Sequence, residues 1–165
     1  MRKPTLNQIC VSKVIGYHPF LERLLADEAP PALHADNPVL NDIELQRALV
    51  SAEMLFGVKT PSGIQLIKPS LLVEVCQRST DKYRLNVLVF DHHSSDLLDL
   101  ILALNLLLPS LAYPSSRHIG QRLHSRLHAL KTLTASNQFH HSLAIKKTTL
   151  EQIAQMSEGA IRRRT

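Results

Sequence analysis

Three groups of side chains in this sequence are of types that do chemistry. Asp91, His92 and His93 stand in a row after the apolar run Tyr83 to Phe90. Carboxylate and imidazole at a strand end are reasonable ligands for a divalent metal, which would activate water for hydrolysis. His124 and His128 are four apart, so a helix would carry both imidazoles on one face. The third group is cationic: Arg117, Arg122, Arg126, Lys131, Lys146, Lys147, Arg162, Arg163 and Arg164. Such side chains bind phosphate through charge and counterion release. Cys10 and Cys76 form no Cys-x-x-Cys, and no Gly-rich phosphate loop, Gly-x-Ser-x-Gly or Cys/His nucleophile pairing occurs.

Charge weighs most heavily on the cationic group. Residues 1–111 hold 10 Lys/Arg and 12 Asp/Glu, whereas residues 112–165 hold 9 Lys/Arg and 2 Asp/Glu. Five of the nine histidines also lie in that last third. This asymmetry is the electrostatic footprint of a nucleic-acid partner, with duplex DNA the first expectation. A solvated basic face or an acidic protein partner would share it. The His124/His128 pair has no third ligand at motif spacing and reads as part of the basic face.

Asp91-His92-His93 is similar to the Asp-His-His signature of the phosphoesterases of that name. That resemblance implies manganese ligation. Those enzymes also carry an aspartate-rich motif on an earlier strand, and no Asp-x-Asp or His-x-Asp-x-Asp precedes residue 91. A two-metal hydrolase lacking the second ligand set has nothing to hold its metals. The expected structure is therefore a polar strand-to-helix turn capped by Asp91, Ser94 and Ser95. No catalytic residue, metal or cofactor is assigned.

The elements that must position these groups centre on Ile64 to Leu108. Leu71 to Cys76 and Tyr83 to Phe90 read as an antiparallel hairpin, the second strand being apolar on both faces. Val58 to Thr60 and Ile64 to Ile67 flank Pro61-Ser62-Gly63, a second hairpin. Leu97 to Leu108 has almost no polar face and reads as a helix buried in the fold or in a homodimer, ended by Pro109. Asp99, Asn105 and Pro109 interrupt it, against a membrane span. Upstream, Asn7 to Leu25 reads as two short helices broken at Gly16. The stretch from Ala29 to Pro38 reads as a linker. Asn41 or Asp42 would cap a helix from Ile43 to about Phe56, its stripe formed by Leu45, Ala48, Leu49, Ala52 and Leu55 and its end at Gly57. Pro114 opens a basic amphipathic helix to about Leu133, with Ile119, Leu123, Leu127, Leu130 and Leu133 inward. The expectation is an α+β fold: N-terminal helices, a small mostly antiparallel sheet and a helical basic C-terminal part. Residues 1–111 would form the core domain and 112–165 a basic helical region. Reduced cysteines and the absence of an apolar signal segment point to the cytoplasm.

Two resemblances bear on that C-terminal part. Thr148 and Glu151 have capping-box spacing, and residues 148–164 resemble a helix-turn-helix, with Ala154 as the small crossing residue and Ser157 opening the recognition helix. That resemblance implies phosphate or base contacts by Arg162 to Arg164. In the family a Gly follows the Ala by four and an Ile or Val by about ten, whereas Ile161 follows by seven. Ile67-Lys68-Pro69-Ser70-Leu71-Leu72-Val73, with Lys82-Tyr83-Arg84-Leu85, resembles the N-terminal core of ParB-type partition proteins. This implies a sulfiredoxin-like core followed by helices and a helix-turn-helix, and DNA binding of partition or regulatory type on a plasmid or other mobile element. Asn86-Val87-Leu88 stands where the family has a Gly-x-x-Arg phosphate-binding element, so nucleotide binding and nuclease activity do not carry over. The rival from another class is a protein-interaction or dimerisation module.

Overall fold

The computed structural model describes residues 3–28, 37–79, 82–91, 96–112, 117–136, 139, 143–156 and 161. The fold is α+β, and its chain divides into two compact units. The first is Met1–His18 with Pro30–Ser94, the second Pro19–Ala29 with Ser95–Thr165. The boundary expected between 111 and 112 falls inside the second unit.

The first unit is built on a five-stranded sheet of β1 (Thr5–Cys10), β2 (Val14–Tyr17), β3 (Leu55–Thr60), β4 (Gly63–Leu66) and β5 (Arg84–Phe90), in the order β1-β5-β3-β4-β2. The β1/β5 and β3/β4 pairs are antiparallel, whereas β3/β5 and β2/β4 are parallel. The sheet is thus mixed rather than mostly antiparallel. For the β3/β5 pair the cause is the element between β4 and β5. Leu71 to Cys76 is not a strand, because Leu72–Arg78 forms helix α3 and buries Leu72, Val73, Val75 and Cys76. Ser70 Oγ accepts the Leu72 N–H at 3.0 Å where the helix begins. A helical crossover delivers β5 parallel to β3, where a hairpin would have reversed it.

The N-terminal expectation also needs correction. Residues 5–17 form two edge strands joined by a short 3₁₀ turn, Val11–Lys13, and only Pro19–Leu24 is helical, as α1. Edge strands bury little, and β1 is exposed along nearly all its length, which weakens the alternating signal that marks a strand. The hairpin β3–β4 forms as expected. Gly57 lies inside β3 and not at a helix end. A Cβ there would meet Ile64 Cγ2 at 2.7 Å, so the strand needs glycine.

Helix α2 (Ile43–Ala52) starts where expected, with Asp42 Oδ1 accepting the N–H groups of Glu44 and Leu45 at 2.9 and 3.0 Å. Its buried residue is Gln46, while Leu45 and Leu49 of the expected inward face are 44% and 39% exposed. Gln46 uses its whole amide. Nε2 donates to the carbonyls of Val39 and Leu40, and Oε1 accepts from Ser79 Oγ and Tyr83 Oη, each at 2.8 to 3.0 Å. One side chain thereby ties a loop, α2, the end of α3 and the approach to β5. The core of this unit packs α3 on Leu55, Leu66, Leu85 and Val87.

The second unit is helical: α1, α4 (Leu97–Leu102), a π turn (Ala103–Leu107), α5 (Leu108–Ala112), α6 (Arg117–Ala135) and α7 (Lys147–Ile153). Pro109 does not end the apolar helix, which continues through it to Ala112. Proline cannot bond the carbonyl four residues back. That carbonyl, of Asn105, is taken instead by Arg126 Nη1 at 2.5 Å. The wide turn just before Pro109 is a common way for a helix to absorb such a break. Ile101, Leu102 and Leu106 are fully buried, as are Phe20 and Leu21 of α1.

Candidate nucleic-acid interface

Helix α6 is the longest element, and its inward face is the expected one: Leu123, Leu127, Leu130 and Leu133 are all under 9% exposed. No Asp or Glu occurs anywhere from Leu100 to Leu150. The solvent side of α6 therefore carries cations and neutral groups alone, with Arg122, His128 and Lys131 exposed and His124 half-buried. The backbone of Arg117 opens the helix, but its side chain lies outside the described residues.

Arg126 sits elsewhere. It is 7% exposed, and its guanidinium forks onto the Glu28 carboxylate through Nε at 2.5 Å and Nη2 at 3.0 Å. With the Asn105 contact added, its donors are directed inward. Its partner lies 98 residues away, and no local signal in the sequence marks that pairing. His128 Nδ1 stands 3.7 Å from Asp27 Oδ2, beside a cleft of about 350 Å³ that His124 also lines. Among the described residues no three His, Cys, Asp or Glu side chains are grouped so as to hold a metal.

Lys146 and Lys147 are exposed at the start of α7, with Lys147 Nζ 3.6 Å from Glu151. The expected capping box is absent. Lys146 is the N-cap, Thr148 lies inside the helix, and Glu151 turns inward to accept the Ile161 N–H at 3.1 Å. Helix α7 ends in a Schellman turn: Met156 N–H reaches Glu151 O at 2.9 Å, and Gln155 takes the left-handed conformation at φ 52°. Ala154 is fully buried. Ser157 and Arg162 to Arg164 lie outside the described residues, as do His92 and His93.

Division by units redistributes the charge. The first unit holds 9 Lys/Arg and 7 Asp/Glu, the second 10 and 7. Glu22, Asp27, Glu28, Asp96 and Asp99 join the basic tail in one unit. Of these, Glu28 pairs with Arg126 and Asp99 accepts the Leu143 N–H at 2.8 Å, whereas Glu22, Asp27 and Asp96 are exposed. None of the helices described is long and apolar enough to cross a membrane.

No protein-family model matches the chain, and no curated protein matches it. Among solved structures, the C-terminally truncated chromosome-partitioning protein ParB from Caulobacter crescentus, complexed with CTP-gamma-S, shows a weak structural resemblance. Its TM-score is 0.37 and its identity 10%, over 95% of each chain.

Proposed function

We propose that the chain binds nucleic acid, duplex DNA first, through the solvent side of α6 and the start of α7. The supporting observation is the carboxylate-free stretch from Leu100 to Leu150, whose Arg122, Lys131, Lys146 and Lys147 are exposed. Arg162, Arg163 and Arg164 extend the set in sequence, and a regulatory or partition role on a plasmid or other mobile element is the setting we propose for it. Arg126 is structural in this reading. The contacts are to phosphate, so binding is governed by charge more than by base sequence. With four such contacts, affinity for a random duplex should fall roughly 100-fold between about 50 and 200 mM salt. Gel shifts at several salt concentrations measure that slope. Arg122→Glu with Lys131→Glu should weaken binding and flatten the slope, and an unchanged slope in that variant would overturn the reading.

A second reading has its own observation. Leu45 and Leu49, one turn apart on α2, are 44% and 39% exposed, apolar side chains of the kind used in protein association. Under that reading the chain is an interaction or dimerisation module. A chain that ignores DNA at low salt but sediments as a dimer would favour it.

A further inference from the structure

The first unit contains a cleft of about 410 Å³ on the sheet, within the size range of small-ligand sites. Strand register explains its floor. Asn7 faces Val87, Thr5 faces Val89, Val89 faces Gly57 and Lys59 faces Ile64, so Val89, Lys59 and Ile64 share the face on which α3 packs. The cleft lies on that face toward the β3–β4 turn. Ile9, Ile64 and Val89 supply apolar floor, and Lys13 and Lys59 stand at its edge.

Its charge is one-sided. Among the described residues no Asp or Glu lines the cleft, and neither lysine has an ion-pair partner. The wall is also held in place. Thr60 Oγ1 donates to Gly63 O at 3.0 Å and shares a hydrogen bond with Ser62 Oγ at 3.2 Å. Gly63 has φ 155°, and a Cβ there would lie 2.5 Å from the Lys13 carbonyl, so the turn presses on the backbone that carries Lys13.

We infer that this cleft binds a small amphiphilic anion, its carboxylate or phosphate head between Lys13 and Lys59 and its short apolar body on Ile9, Ile64 and Val89. Two unpaired cations beside an apolar floor reject a cationic ligand and gain little from a bare inorganic ion. The inference does not depend on nucleic-acid binding, since the residues belong to the other unit.

Amide spectra of the full chain, titrated separately with octanoate, octyl phosphate, inorganic phosphate and octylamine, test it. Octanoate or octyl phosphate should shift the amides of residues 7–9, 59–64 and 89, and the tighter of the two identifies the head group. Inorganic phosphate should bind at least tenfold more weakly, and octylamine should leave those amides unmoved. Lys13→Gln with Lys59→Gln should weaken binding at least tenfold at an unchanged melting temperature, and Lys13→Arg with Lys59→Arg should restore it. Equal binding of octylamine, an unaffected Gln variant, or no shift with either alkyl anion would overturn the proposal.

Discussion

Arg126 shows how partners, not residue type, decide what a charge does. Its neighbours Arg122 and Lys131 lie on the same helix, yet only Arg126 turns into the protein to meet Glu28 and Asn105. Removing one member of a buried pair leaves the other uncompensated. Arg126→Ala should therefore lower stability by roughly 3 kcal/mol, read by chemical denaturation, whereas Arg122→Ala should change it by less than about 0.5 kcal/mol. Equal effects would contradict this placement. The two cysteines contrast in the same way. Burial pushes the Cys76 thiol up to about 11, while a hydrogen bond from Ser12 lowers that of exposed Cys10. At mildly alkaline pH a thiol reagent should label Cys10 promptly and Cys76 only on unfolding. Cys76 holds its proton more tightly folded than unfolded. Its contribution is thus intact below the ordinary thiol value of 9.0 and is lost as pH rises toward about 11. Denaturation midpoints of the native chain and Cys76→Ala across that window measure the effect.

At the scale of elements, strong periodicity was legible and short apolar runs were not. The leucine stripe of α6 repeats often enough to leave one reading. The β3–β4 turn carried its own chemistry in Pro61 and Gly63, and β5 had both alternation and length. Leu71 to Cys76 offered only six apolar-rich residues, too few for period two and period 3.6 to differ visibly. The stripe on α2 was real in sequence, but tertiary packing chose the opposite side around Gln46. No pattern in the sequence announces a glutamine whose four partners lie on three other segments. Of the candidate interface, the cations were legible, but the withdrawal of Arg126 was not, because Glu28 belongs to a distant stretch of chain. Gln46→Leu should cost roughly 3 kcal/mol, since it removes four hydrogen bonds at once, one of them to buried Tyr83. A Gln46→Leu variant as stable as the native chain would show that the network is dispensable. On the helical side, Leu106→Asp places a charge at a site with no solvent exposure and should abolish cooperative unfolding of the second unit.

For the whole molecule, the path of the chain matters as much as its contacts. Residues 19–29 leave the first unit, complete the helical one, and the chain then returns at residue 30. A truncation after Leu111 would remove α6 and strand Phe20, Leu21 and Leu24 of α1 without their helical unit. Such a fragment should expose apolar surface, measured by increased dye binding, instead of behaving as a finished core domain. Charge obeys the same geography, since Asp27 and Glu28 come from that early segment to meet His128 and Arg126 of α6. The threading also has a consequence for synthesis. β1 is made some eighty residues before β5, the strand it pairs with, and α1 about a hundred before α6. Neither unit can close while the ribosome is still making the middle of the chain. Until β5 and α6 have been made, the nascent chain holds an unpaired strand and a bare apolar helix, a state in which chaperone capture competes with aggregation.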